Sequence, residues 1–190
     1  MAQELATAFR LLAAALERLH ISYAIGGSIA SSARSIARLT QDVDLVARIG
    51  TNQADRLARE LGSLWYADAE QMRAAIQAGR SFNLIYLPMS YKMDIFPATE
   101  EFHQIQLERA TRVALEVFEN EAYPVTSAED ILLAKLRWYR MGGEVSERQW
   151  TDITNILAIN QNLDFEYLNL WAAKLEVTDL LEKARVDADI

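Results

Sequence analysis

The sequence predicts an α/β protein of the α+β kind, with a mixed part over about residues 1–125 and a helical part over about residues 126–190. Short apolar strand-like runs that end at Gly or Pro alternate with helical patterns in the first part, whereas only helical patterns follow Pro124. The chain has 190 residues, 51% of them hydrophobic, and no cysteine. A chain of this size can bury a core without disulfides.

The first part begins with apolar residues at steps of three and four, which predict an amphipathic helix over about residues 3–20. Short apolar runs ended by turn residues predict strands at 22–25, 43–49, 82–87 and 91–96, the last two joined at Pro88 as a hairpin. Helices are predicted at 28–37, with Ser28 as the cap, and at 51–61, capped by Thr51 or Asn52. The pattern over 103–125 is mixed, and 113–118 is its best strand.

The second part begins with Thr126 and Glu129, which have the spacing of a capping box. A helix over about 127–140 is expected to follow and to end at Gly142 and Gly143. Three more helices are predicted at 146–159, 164–174 and 178–185.

Composition narrows the functional classes. Lys and Arg number 19 against 27 Asp and Glu, a formal charge of −8, so nonspecific coating of long nucleic acid is disfavoured, although a local basic pocket can still hold a tRNA end or a nucleotide. There is no pattern of a secretory signal, and the longest apolar run, 11–16, is far shorter than the roughly 20 residues that span a bilayer. We therefore expect a cytoplasmic protein without a membrane partner.

Three carboxylates lie in or beside apolar strands. Asp42 and Asp44 are two residues apart, so on a strand their side chains share one face and can bind the same divalent ions through oxygen. Asp94 lies within the apolar run 91–96, where an unpaired charge is costly. If the two strands are neighbours, the three carboxylates converge. Each also has an ordinary explanation, namely a solvated strand end or, for Asp94, an ion pair with Lys or Arg.

A glycine turn precedes these carboxylates. Gly26, Gly27 and Ser28 lie between a predicted strand and a predicted helix, where glycines allow close backbone approach and the helix N-terminus offers N–H groups to phosphate. Alone, such a triplet is usually a plain turn. Its order relative to Asp42, Asp44 and Asp94 is more specific than any single element.

That order resembles the nucleotidyltransferase superfamily typified by DNA polymerase beta. The segment from Gly26 through Arg38, Thr40, Asp42 and Asp44 is most similar to the AbiEii-type toxin branch. The resemblance extends over about residues 20–160 and implies a mixed-sheet core with flanking helices, followed by a helical bundle. It also matches Lys135 and Asp152, in the helical part, to a lysine and an aspartate of that branch.

The resemblance implies transfer of a nucleoside monophosphate from an NTP such as ATP to an acceptor hydroxyl. Asp42, Asp44 and Asp94 would be catalytic and would bind Mg²⁺ or Mn²⁺. The nucleotide would be held by a larger set, Gly26, Gly27, Ser28, Arg38, Thr40, Lys135 and Asp152.

Purely structural roles stay open as alternatives for the less specific members of this set. Arg38 and Thr40 can simply brace the loop, and Lys135 can extend along an apolar helix face. Arg148 and Asp152 have the spacing of an ordinary helical ion pair.

Three functions remain open from the sequence. The first is a toxin-type enzyme that acts on tRNA or protein and is restrained by a cognate antitoxin. The second is a small-molecule transferase of the aminoglycoside type, and the third is an inactive binding module of the same fold.

Overall fold

The computed structural model describes residues 2–34 and 42–189. The chain forms two compact units. The first comprises Met1–Ile29 and Leu39–Thr126, and the second comprises Ala30–Arg38 and Ser127–Ile190.

The first unit is built on a mixed sheet. Its strands within the described residues are β1 Tyr23–Ile25, β2 Asp42–Ala47, β3 Trp65–Tyr66, β4 Phe82–Tyr86, β5 Tyr91–Pro97, β6 Thr111–Leu115 and β7 Glu121–Val125. Their order across the sheet is β3-β4-β5-β2-β1-β7-β6. Strand β2 runs parallel to β5 and β1 runs parallel to β7, whereas the other neighbouring pairs are antiparallel.

Helices accompany the sheet and make up most of the second unit. Those of the first unit are α1 Ala2–Arg18, α3 Thr51–Leu61, α4 Ala69–Gln77 and α5 Glu101–Arg109. Helix α2, Gly27–Arg34, begins in the first unit and continues into the second. The second unit also contains α6 Ala128–Met141, α7 Glu147–Ile159, α8 Phe165–Lys174 and α9 Thr178–Asp187. The predicted class, a mixed sheet with flanking helices followed by a helical C-terminal part, is confirmed.

The apolar face predicted for the first helix is a central part of the core. Phe9 and Leu16 of α1 are completely buried. The ring of Phe9 stacks on that of Phe118 at a centroid distance of 4.3 Å and meets the ring of Tyr123 edge-on at 4.8 Å. This packing fixes α1 against the β6–β7 hairpin, because burial of aromatic surface is among the larger stabilising contributions.

The secondary-structure prediction was least accurate in segments without a clear hydrophobic periodicity. The strand expected at 113–118 ends at Leu115, and residues 116–118 form a 3₁₀ turn. Helix α5 was not predicted, because only Phe102 and Gln106 of its residues are buried and two positions make a weak periodic signal. Strand β3 was missed because it has two residues.

Helix caps differ from the prediction by one residue. Ser127, not Thr126, caps α6: its side chain accepts a hydrogen bond from the Asp130 N–H. The Thr126 hydroxyl instead donates to the Ile25 carbonyl. Helix α2 begins at Gly27, so Ser28 lies inside its first turn. Thr51 likewise begins α3 rather than capping it. Neighbouring hydroxyl residues make such choices ambiguous in sequence, because each can serve as a cap.

Within residues 2–34 and 42–189, no helix is both long enough and apolar enough to cross a membrane.

Candidate active site

Two parallel strands bring the predicted carboxylates together. In the register of β2 and β5, Asp44 lies opposite Asp94 and Asp42 lies opposite Lys92. Side chains of paired residues point to the same face of a sheet, so this face carries both aspartate positions. The residues between them, Val43 and its partner on β5, are completely buried on the other face. The alternation therefore separates a polar face from the core.

The neighbouring strand extends this polar face. Asn83 of β4 lies opposite Asp94, so Asp44, Asp94 and Asn83 form a row across three strands. This row shares its face of the sheet with Asp42 and Lys92, and we call this face the acidic face. Sequence reasoning missed two of its members. Lys92 was detectable, because a residue two positions from Asp94 on a strand must share its face. Asn83 was not, because its place depends on the hairpin register.

The glycine turn lies directly against the acidic face. The Gly26 N–H donates to the Asp44 carbonyl over 2.8 Å. Gly27 has φ +56°, and a Cβ added there would lie 1.8 Å from Asp44 Oδ2. Only glycine fits this position without displacing the carboxylate. The two motifs that the sequence separates by fourteen residues are thus in contact.

The beginning of α2 also bonds to the aspartate. The backbone N–H of Ser28 donates a hydrogen bond to the Asp44 carboxylate. A helix N-terminus stabilises negative charge through its unpaired N–H groups. One of the donors that the sequence assigns to a phosphate is therefore bonded to Asp44 in this structure.

Asp44 has a perturbed acidity. Desolvation by burial, followed by repulsion from Asp94 and Asp42, raises its pKa from 3.8 to about 6. Attraction to Lys92 and the Ser28 hydrogen bond act in the opposite direction and only partly offset these effects. Burial and neighbouring negative charge thus both disfavour the ionised form of Asp44.

Lys92 supplies one positive charge on the same face. Its Nζ lies 2.8 Å from Asp94 Oδ2, with 39% of the Lys92 side chain and 17% of the Asp94 side chain exposed. The hydrogen bond to Asp94, and attraction to Asp42 and Asp44, raise the pKa of Lys92. The ion pair that the sequence left open as an ordinary explanation for Asp94 is thus present.

The donors on the acidic face fit a hard divalent cation. Asp42, Asp44 and Asp94 offer carboxylate oxygens, which Mg²⁺ and Mn²⁺ prefer, and a cation would relieve the repulsion that raises the pKa of Asp44. In the side-chain conformations described for 2–34 and 42–189, no three acidic or histidine groups are close enough together to enclose an ion. The Asp94 carboxylate instead accepts a hydrogen bond from Lys92 in this structure.

Two further predicted residues lie in the second unit. Lys135 of α6 donates from Nζ to Asp152 Oδ2 of α7 over 3.0 Å. Both side chains are largely buried, with 13% and 24% exposed. The structure therefore brings Lys135 and Asp152 together as an ion pair between two helices. Arg38 and Thr40 lie outside the described residues.

Comparison with known proteins places the fold. No protein-family model and no curated protein matches the sequence. Among solved structures, the chain is similar to ANT(2")-Ia in complex with adenylyl-2"-tobramycin, with TM-score 0.56 and 14% identity over 90% of this chain and 96% of that one.

A second solved structure gives the same result. The chain is similar to an antigenic nucleotidyltransferase-like protein from Paracoccidioides brasiliensis, with TM-score 0.54 and 24% identity over 95% of this chain and 91% of that one. The chain therefore has a nucleotidyltransferase fold.

Proposed function

We propose that this chain is a metal-dependent nucleotidyltransferase, which moves a nucleoside monophosphate from an NTP to an acceptor hydroxyl. The observation that carries the proposal is the register of β2 and β5, which sets Asp44 opposite Asp94 beside Gly27. The nucleotidyltransferase fold supports it, since this chain carries the acidic face and the glycine turn side by side on that fold.

In the proposed reaction, the acceptor oxygen forms a bond to the α-phosphorus of the NTP. The bond from the α-phosphorus to the oxygen that bridges to the β-phosphate breaks, and pyrophosphate leaves with the electron pair. The hydroxyl proton passes to the Asp94 carboxylate, which acts as general base. Catalysis in this step comes mainly from holding the acceptor hydroxyl, the triphosphate and the Asp94 carboxylate in position.

Asp42, Asp44 and Asp94 would hold Mg²⁺ or Mn²⁺. When bound, such ions lower the pKa of the attacking hydroxyl and neutralise charge on the departing pyrophosphate. Asp44 is fixed for this role by the Ser28 N–H and by the space that Gly27 leaves.

The β- and γ-phosphates would lie at Gly26, Gly27 and Ser28. At this N-terminus of α2, further backbone N–H groups can donate hydrogen bonds to phosphate oxygens. We propose residues 1–125 as the nucleotidyltransferase core and 126–190 as a helical subdomain. Within that subdomain, roles for Lys135 and Asp152 in nucleotide binding remain predictions.

The acceptor has two candidates. A toxin-type enzyme that acts on tRNA or protein and has a cognate antitoxin is supported by the similarity of the segment 26–45 to the AbiEii-type branch. A small-molecule acceptor is supported by the net charge of −8, which suits a polycationic substrate, and by ANT(2")-Ia, whose structure contains adenylyl-2"-tobramycin. An inactive binding module is the less favoured alternative, because all three aspartates are present.

Radiolabelled nucleotides test the reaction and the acceptor together. Each NTP, labelled at the α-phosphate, is incubated with Mg²⁺ and the protein in the presence of total tRNA, total protein or a panel of aminoglycosides. We expect label from one NTP to become attached to one acceptor class. Asp42→Ala and Asp44→Ala should abolish the transfer while the circular dichroism spectrum stays unchanged.

The same incubation with γ-labelled NTP is the control for reaction type. Transfer of γ-label would identify a kinase and would refute the proposal. Full activity in either aspartate variant would refute the assignment of the metal site.

A further inference from the structure

A lysine lies among the carboxylates that are proposed to bind the metal. Lys92 precedes Asp94 by two residues on β5, and its register partner on β2 is Asp42. Its Nζ lies 2.8 Å from Asp94 Oδ2, which is full hydrogen-bond contact. Among the described residues, the acidic face therefore carries a cation of its own.

This ammonium group and a divalent ion would compete for Asp94. An oxygen that accepts a charge-assisted hydrogen bond from Lys92 offers less of its charge to a metal, and the ammonium repels any cation brought close to it. Lys92 is also free to leave, because its flexible four-carbon side chain is 39% exposed whereas Asp94 is 17% exposed. Of the two side chains, Lys92 is therefore the one with more room to move away.

We propose that Lys92 is a built-in counterion that keeps divalent ions from binding tightly to the acidic face until a nucleoside triphosphate arrives. This inference rests on the proposed function. Three carboxylates and one ammonium give the acidic face a net charge of about −2, which attracts cations less than the carboxylates alone would. A triphosphate supplies oxygens to which Lys92 can turn, and Asp94 is then released for the metal.

The consequence is that Lys92 couples metal binding to nucleotide binding. Without nucleotide, loss of the lysine charge should strengthen divalent binding. With nucleotide bound, the lysine contacts the phosphates instead of Asp94, so loss of its charge should change the affinity for divalent ions much less. A lysine that only braces Asp94 would give the opposite result, because its removal would loosen a metal ligand and weaken binding.

Manganese binding measured by electron paramagnetic resonance tests this directly, since the free ion is quantified without any enzymatic turnover. In the absence of nucleotide, we expect Lys92→Met to bind Mn²⁺ about tenfold more tightly than the wild type, the effect of removing one nearby, partly solvent-screened charge. Lys92→Arg, which keeps the charge, should stay close to the wild type.

Arg48→Met is the matched control for loss of one positive charge. Arg48 follows β2 and forms an exposed ion pair with Glu108 at 3.7 Å. It lies four residues beyond Asp44, about 13 Å along a strand, which exceeds the screening length of about 10 Å at 0.1 M salt. Its Mn²⁺ affinity should remain within about twofold of the wild type.

The titrations are then repeated with a mixture of the α,β-methylene analogues of the four NTPs. We expect the difference between Lys92→Met and the wild type to shrink to less than about threefold. Equal or weaker Mn²⁺ binding by Lys92→Met without nucleotide would overturn the inference, as would a tenfold difference that persists with the analogues. Those two outcomes leave the proposed function standing. If neither protein binds Mn²⁺ or the analogues at all, the proposed function fails and the inference fails with it.

Discussion

Replacement of Asp44 by asparagine should change how the stability of the metal-free protein depends on pH. The folded-state pKa of Asp44 is about 6, compared with an ordinary value of 3.8. The folded chain therefore holds more protons than the unfolded chain between these values, so stability falls as pH rises through this window. At about 1.4 kcal/mol per pKa unit, the full loss is about 3 kcal/mol.

Asp44→Asn removes this loss and keeps the shape of the side chain, including an oxygen that can accept the Ser28 N–H bond. Between pH 4.5 and 7.5, the free energy of unfolding of the variant should rise relative to that of the wild type by about 2 kcal/mol. Urea denaturation in EDTA, followed by circular dichroism at both pH values, measures this difference.

Asp55→Asn is the control for loss of a carboxylate that is not on the acidic face. The hydrogen bond from Arg73 lowers the pKa of Asp55 from its ordinary value of 3.8, so its stabilisation is present above that value and is lost only as pH falls below it. Between pH 4.5 and 7.5, the stability of Asp55→Asn relative to the wild type should therefore stay nearly constant. If the stability of Asp44→Asn relative to the wild type were the same at both pH values, or lower at pH 7.5, the account of a pKa raised by burial and by repulsion on the acidic face would be refuted.

Two other predictions concern packing at Gly27 and the ion pair in the second unit. Gly27→Ala should destabilise the protein by at least about 2 kcal/mol in thermal or urea unfolding, because φ is +56° and the new Cβ would lie 1.8 Å from Asp44 Oδ2. Gly143→Ala, with φ +75° and no atom within 4 Å, should cost only about 1 kcal/mol, and an equal cost at both glycines would contradict the close contact. A double-mutant cycle with Lys135→Met and Asp152→Asn should give a coupling of about 1 kcal/mol, since the pair is largely buried, and a coupling of zero would argue against it.

The sequence predicted the parts of the fold that depend on local periodicity. Helix α1 and the hairpin of β4 and β5 follow from spacing and from the turn at Pro88, because most of the apolar residues that set the spacing are buried on one side of each element. Helix α5 did not follow, because it buries only two residues, too few for a clear periodic pattern. The sequence therefore predicts a helix or strand only when the element buries enough residues to produce a regular apolar pattern.

The candidate site shows a different limit. The order of Gly27, Asp44 and Asp94 in the sequence was enough to predict a shared site, whereas the partners of these residues depend on strand register. Asn83 joins the acidic face only because β4 pairs with β5 in one register, and a shift of one residue would turn it away. The position of Lys92 two residues before Asp94 can be read from the sequence. Its ion pair with Asp94, which competes with the predicted metal role of Asp94, becomes evident only from the distance between the two side chains.

Calorimetric titration of NTPs in the presence and absence of Mg²⁺ tests the central claim most directly, because it needs no knowledge of the acceptor. We expect the wild type to bind at least one NTP in a Mg²⁺-dependent manner, and we expect Asp42→Asn and Asp44→Asn to lose that dependence while remaining folded. Absence of NTP binding by the wild type, or Mg²⁺-dependent binding that survives in both variants, would contradict the assignment of a metal-dependent nucleotidyltransferase site to the acidic face.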